Sequence, residues 1–267
     1  MGPSLSRGAG EGLIAVLLPL VALIAVAHPA ASGEVSAWYQ AYWAGLPAGE
    51  IRLTLREDAA AYHDQIDVRA EGLPRLVTRF RGTAVSEGRL AAGPLPEPLR
   101  YEAAYDLRKR RDRRLSMRFT ARGDAVVAER GPDDTSRKPP LPEGFRRNVL
   151  DPLSALTAIR RELRRGNRSS FSLPVYDGAR RFDVIGRVLP KRAEKPALDL
   201  ELILAPIAGF KGDTSDDGDP DNAPRPVQLT ISDDHRLMPL SMEVSLYYVP
   251  LVIQLTRWCD PAAACKW

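Results

Sequence analysis

Apolar and polar residues alternate with a period of two through most of this chain. In residues 49–57, Ile51, Leu53 and Leu55 alternate with Arg52, Thr54 and Arg56. A period of two places one set on each face of a strand, so the sheet has an apolar face and a wet face. The pattern returns at Ile66, Val68 and Ala70, at Tyr101, Ala103, Tyr105 and Leu107, and at Leu115, Met117 and Phe119. It returns again at Leu198 to Leu204, at Val227, Leu229 and Ile231, and at Met242, Val244, Leu246 and Tyr248. Residues 35–43 and 49–57 predict a first hairpin through Gly45–Ala48. Residues 171–176 and 181–189 flank Asp177-Gly178, a strong hairpin-turn signal. Residues 73–82 fit either a strand or a short helix. Residues 91–98, with three prolines, read as a loop. Residues 251–258 are expected to close the chain.

One stretch breaks this pattern. In residues 151–166, DPLSALTAIRRELRRG, Leu153, Leu156, Ile159 and Leu163 recur at spacings of three and four, a helical face. Asp151 can cap the first turn, and Pro152 takes the first helical position, where its missing N–H costs nothing. Arg160, Arg161, Arg164 and Arg165 crowd the negative end of the dipole, and Gly166 supplies a left-handed stop. The prediction is a helix over 151–165. A helix this short is marginal alone, so its leucine face must be covered. Its four apolar residues either plug or cover the sheet, or form the wall of a ligand cavity.

About a dozen one-sided strands must hide their apolar faces, and one helix cannot cover them all. The expected fold is mainly β: an antiparallel curved sheet closing into a barrel-like or spiral shell, with the helix packed in or on it. About eight strands make a barrel that side chains just fill, whereas more leave room for a ligand or a plug. A single domain over 32–267 is expected. Within it, a crossover loop at about 131–148 divides two blocks of strands, and residues 209–225 form an acidic loop.

The N-terminus changes the address. Arg7 precedes an apolar run from Leu13 to Ala27, followed by small residues up to Ala31 and Ser32. These are the parts of a cleaved secretory signal peptide, here residues 1–31. An uncleaved anchor is the alternative, but the run is shorter than the roughly 20 residues a spanning helix needs. The expected location is the periplasm. The only two cysteines, Cys259 and Cys265, then predict a disulfide in an oxidising compartment.

Candidate chemistry is sparse. Of three histidines only His63 and His235 follow the leader, which leaves little for a zinc site. Asp213, Asp216, Asp217, Asp219 and Asp221 offer hard oxygen ligands for calcium, but their spacing departs from the twelve-residue loop pattern. A solvated acidic loop is the plainer reading. Asp233, Asp234 and His235 resemble acid–base groups, yet no nucleophile elbow accompanies them, and a strand-linking turn explains them. Arg108, Lys109, Arg110, Arg111, Arg113 and Arg114 read as a basic hairpin tip. With the helix arginines, they could meet anionic lipid or an acidic envelope partner at net charge +4. Nucleic acid is not expected, because no aromatic platform accompanies the charges. Trp267 resembles the aromatic ending of outer-membrane barrels, but the last strand lacks the alternating lipid-facing segment.

Four segments in order bring a family into view: YWAGLPAGE at 42–50, DPLSAL at 151–156, YDGARRFD at 176–183 and ISDDHRLMP at 231–239. Together they resemble the exported bacterial family catalogued as domain of unknown function 3108, over residues 38–258. The resemblance implies an exported antiparallel β protein and no settled activity. In outline the chain is also similar to curved-sheet periplasmic lipoprotein carriers and envelope-integrity proteins, an analogy of fold. The expected function is non-catalytic and free of cofactors. It is the binding of a hydrophobic molecule, lipid or envelope partner within the shell, or else scaffolding through a basic surface.

Overall fold

The computed structural model describes residues 33–72, 80–107, 110–130, 141–167, 169–191, 196–210, 223–246, 249–260 and 263–266. The expected leader therefore lies outside the described residues. So do Arg108 and Lys109, residues 131–140 of the crossover loop, all five calcium-candidate aspartates and Trp267.

The first block of strands is β1 (Gly33–Trp43), β2 (Leu46–Glu57), β3 (Ala61–Ala70), β4 (Arg81–Arg89), β5 (Glu97–Leu107), β6 (Arg110–Phe119) and β7 (Ala125–Arg130). A 3-10 turn at Glu143–Arg146 and helix α1 (Pro152–Arg164) follow. The second block is β8 (Ser170–Tyr176), β9 (Arg181–Val188), β10 (Ala197–Ala208), β11 (Arg225–Ser232), β12 (Pro239–Leu246), β13 (Val249–Asp260) and β14 (Ala263–Lys266). Each block is a meander of neighbours. They join where β1 pairs antiparallel with β13, so the sheet runs β7-β6-β5-β4-β3-β2-β1-β13-β12-β11-β10-β9-β8, with β14 added on β13. The result is mainly β, an antiparallel sheet nearly closed into a barrel around one helix.

The gap between edge strands β7 and β8 is bridged by the segment leading into α1. Val149 donates its N–H to Gly123 in the β6–β7 turn at 3.2 Å. Leu150 donates to Pro174 of β8 at 2.8 Å and accepts from Tyr176 at 2.9 Å. Arg146 holds the same segment through the carbonyls of Leu141 at 2.8 Å and Ala125 at 3.0 Å. The β8–β9 turn packs in from the other side. Gly178 there has φ +92°, and a Cβ on it would lie 2.3 Å from Leu115 of β6, so only glycine fits.

Helix α1 follows its sequence signals closely. The Asp151 carboxylate accepts from the N–H groups of Leu153 and Ser154, both at 3.0 Å. Gly166 takes the left-handed conformation at φ +78°. The burial is wider than a leucine stripe. Leu153, Ser154, Ala155, Thr157, Ala158, Ile159, Arg160 and Leu163 are all buried, and at 100° per residue they go right round the helix. A cover would bury one face; this helix is a plug. Its side chains enter all three apolar clusters of the shell. Ile159 and Leu163 pack among Leu173, Leu200 and Ile231 of the second block. Leu153 packs with Met117, Phe119 and Tyr176, and Leu156 packs against the Val35, Leu53 and Leu55 group.

The structure corrects three expectations. The basic run is not mainly a hairpin tip, since Arg110–Arg114 already belong to β6, where Arg114 pairs with Ala104 and Arg113 with Tyr105. Residues 251–258 do not close the chain, because β14 folds back on β13. The first hairpin turns at Ala44 and Gly45 with positive φ at both, a two-residue turn shorter than expected.

Leu163 is 3% exposed inside the largest cluster. Leu163→Ala is expected to lower stability by about 2–5 kcal/mol through lost burial and a cavity that cannot collapse. The midpoint of urea unfolding reads this; a loss below ~1 kcal/mol would show that the plug is dispensable.

Candidate functional site

The plug carries polar residues, and the sheet meets each with a polar partner. Counting inward positions from Leu55 by register gives Asp64 on β3, since Leu55 pairs with Asp64, and then Ser86 on β4. Tyr62 lies two residues before Asp64 on the same face. Ser86 donates to the Asp151 carboxylate at 2.9 Å and lies 3.0 Å from the Ser154 hydroxyl. The Tyr62 hydroxyl is 2.6 Å from Ser154, and Ser154 also donates to Asp151. Thr157 donates to Asp64. Asp64, Ser86, Asp151, Ser154 and Thr157 are all fully buried.

Further along the helix, Arg160 and Arg164 pair with Glu57, the last residue of β2. Arg160 also donates to the Arg236 carbonyl at 2.8 Å. Arg161 and Arg165 donate to the carbonyls of Ala91 and Ala92 at 2.6 and 2.9 Å. The helix arginines thus fasten the plug to the shell.

Burial dominates the electrostatics of this cluster. Desolvation raises the Asp64 carboxyl to about 7, against the opposing Thr157 bond and the Arg160 charge. Among the described residues the Oδ1 atom of Asp64 has no hydrogen-bond partner. Burial also raises Asp151, opposed by its donors Ser154, Ser86 and Leu153. Burial raises Tyr62 as well, with the Asp151 charge adding to it. These groups could exchange protons with a substrate only if one reached them, and none of the five fully buried groups touches solvent.

A second feature lies on the opposite side of the sheet. Two cross-strand rows of outward residues cross the first block. One runs Arg257, Trp38, Arg52, Asp67, Thr83, Ala104, Arg114, each paired with the next. The other runs Gln40, Glu50, Arg69, Arg81, Asp106. Thr83 and Ala104 are short, and long charged side chains stand around them, so the surface sinks into a groove of about 600 Å³. Trp38 stands at one end, with the guanidinium of Arg257 4.2 Å and that of Arg52 5.2 Å from its ring centroid. Arg69 pairs with Glu50, and with Glu71 at 3.4 Å.

The other candidates fall into place. Cys259 and Cys265 form a disulfide, S–S 2.07 Å, tying β13 to β14. Asp233, Asp234 and His235 sit in the β11–β12 turn. Asp234 accepts from the N–H groups of Arg236 and Leu237, and Lys191 reaches Asp233 at 2.6 Å. Among the described residues no three His, Cys, Asp or Glu side chains gather to hold a metal ion, and no helix is long and apolar enough to cross a membrane. Sequence reasoning missed both the Asp64 cluster and the groove. Asp64 could have been found, because it breaks the apolar phase between Tyr62 and Ile66. The groove draws single residues from separate strands and needs the register.

The raised Asp64 pKa has a definite sign. An aspartate in the unfolded chain titrates near 3.9, so between about pH 4 and about pH 7 the folded state binds the extra proton. Stability is therefore full below that window and falls as pH rises through it. Asp64→Asn should flatten this slope, with stability at pH 8 rising relative to pH 5 by a few kcal/mol at most, order of magnitude. Urea midpoints of both proteins across pH 4–8 test it; parallel curves would remove Asp64 from the pH dependence.

Comparison with known proteins adds the fold's relatives. No curated protein matches the chain. A crystal structure of a beta-barrel-like protein of domain of unknown function DUF1849 from Brucella abortus is similar at TM-score 0.54 and 11% identity. The match covers 86% of this chain and 99% of that one, and at this identity it speaks for the fold alone. The model of a protein family of unknown function, DUF3108, matches residues 39–255, from within β1 to within β13, and the chain belongs to that family.

Proposed function

We propose that this protein is a non-catalytic scaffold or adaptor of the bacterial cell envelope, exported to the periplasm, and that it binds through its outer surface. The observation that carries the reading is the position of α1. Buried residues are spread around the whole circumference of the helix, and it supplies side chains to all three apolar clusters. A hydrophobic guest inside the shell would have to displace Leu153, Ile159 and Leu163 and leave Asp64, Glu57 and Ser86 without their helical partners. Binding therefore moves outward, to the groove around Trp38 and its arginines. The Cys259–Cys265 disulfide suits an oxidising compartment. The sealed state of the Asp64 cluster supports a structural role for it.

Native mass spectrometry of the purified protein should give the mass of the chain with no lipid retained. Reversing charge in the groove, Arg52→Glu with Arg81→Glu, should leave the unfolding midpoint within about 0.5 kcal/mol, as surface changes do. The same variant should lose cross-linking to its envelope partner. A lipid that co-purifies and survives these substitutions would return the guest to the interior and sink the proposal.

A further inference from the structure

We infer that the rim of the shell formed by the β1–β2 hairpin and the start of β13 dips into the surface of a lipid bilayer. The inference goes beyond the groove around Trp38 and does not depend on it. Two rows of paired residues meet at this rim. One runs Leu46, Trp43, Leu251, Val244, Val227, each opposite the next across β2, β1, β13, β12 and β11. Val244 and Val227 are buried, Leu251 is half-buried, and Trp43 and Leu46 are 45% and 50% exposed. The apolar lining of the shell thus runs out into water. The adjacent row, Pro47, Tyr42, Val252, faces the other side of the sheet and is also uncharged.

No Asp, Glu, Lys or Arg occurs from Val35 to Gly49 or from Val249 to Thr256, although 27% of the chain is charged. Sinking this rim into an apolar medium therefore strips water from no charge. A protein packed on one face of the sheet would cover one row and leave the other wet. A bilayer entered tip first covers both. The backbone suits the same medium. Pro47 and Pro250 have no N–H to desolvate, and Ala44 gives its N–H to the Pro250 carbonyl at 3.1 Å, which also braces the tip against β13. A Cβ on Gly45 would meet nothing within 4 Å, so the point of the hairpin stands clear of the shell. Trp43 and Tyr42, apolar in body and polar at one edge, are the residue types that settle at headgroup level. Glu50 on β2 and Glu243 on β12 limit the entry. Glu50 stands four residues along the strand from Leu46, about 13 Å at strand rise, which leaves room for the roughly 5–10 Å that interfacial elements sink. So few side chains enter that the contact is reversible, and the purified protein carries no lipid with it.

The test sediments the purified mature protein with vesicles of phosphatidylcholine and phosphatidylethanolamine, with and without phosphatidylglycerol. The protein should pellet with both, and equally well between about 0.1 and 0.5 M salt, because the rim has no charge to screen. Trp43→Ser with Leu46→Ser should weaken binding about tenfold or more. Trp43→Phe should keep most of the binding, yet abolish the quenching of tryptophan fluorescence by lipids brominated close to the headgroup. Ile185→Ser with Ile203→Ser, an exposed apolar pair facing each other on β9 and β10, should change nothing. The inference is overturned if neither vesicle pellets the protein, if pelleting needs phosphatidylglycerol and fails at high salt, or if the Ile185 and Ile203 variant loses as much as the Trp43 and Leu46 variant. Loss of cross-linking to an envelope protein in the Trp43 and Leu46 variant, with no vesicle bound, would also overturn it and give the rim to a protein partner. The Arg52 and Arg81 variant decides the groove separately, so either reading can fail alone.

Discussion

A sheet of this many strands, once curled, encloses more space than its own inward side chains fill. That surplus is the constraint on which the rest of the molecule depends. The answer is a helix placed inside, and a helix inside cannot be uniformly greasy without losing its orientation. Apolar contacts tolerate rotation and sliding; hydrogen bonds between fixed partners do not. Ser154, Thr157 and Arg160 on α1 meet Ser86, Asp64 and Glu57 on three successive strands. These pairs set the depth and the rotation of the plug. Their burial makes them intolerant of single losses, because removing one partner strands the other away from water.

The same segment that fills the shell also closes it. Residues 141–150 cross from the β6–β7 turn to β8, and Leu150 bridges to Val175 before the chain enters α1. Closure and filling are thereby coupled in one short stretch. The other seam is of a different kind. β1 and β13 pair residues as distant in sequence as Tyr39 and Leu255, whereas every other junction in the sheet joins neighbours along the chain. Two local meanders can form early at low entropic cost, and the long-range seam must wait for both. The Cys259–Cys265 bond lies at the outer end of that seam, where it holds β14 to β13 next to the pairing of Cys259 with Ser36.

Much of the frame was legible in the sequence because it follows from short-range rules. Alternation at Ile51, Leu53 and Leu55 gave a strand with the right inward set, and Asp151, Pro152 and Gly166 bounded the helix. What escaped was what depends on partners far away. Arg160 looked like a surface cation by its type, yet it is 4% exposed because Glu57, 103 residues earlier, neutralises it. The charges of Arg110–Arg114 suggested a solvated tip, yet strand pairing needs only backbone groups, so the charge of this run does not keep it out of β6. β14 has four residues and no alternation to betray it. Asp64 was the informative miss: a carboxylate in the inward phase of a strand announces a buried polar partner.

The two faces of the sheet are under different constraints, and this separates fold from function. Inward positions answer to packing against α1, so volume and apolar character matter more than identity. A similar frame at 11% identity is what such a rule permits. Outward positions answer to almost nothing in the fold. Arg81 could be many residues without disturbing a single contact of the core; it stands between Arg69 on β3 and Asp106 on β5. Residues around the depression made by Thr83 and Ala104 carry none of the packing duty that fixes the inward set, which is why the proposed binding surface lies there and not among the residues that hold α1.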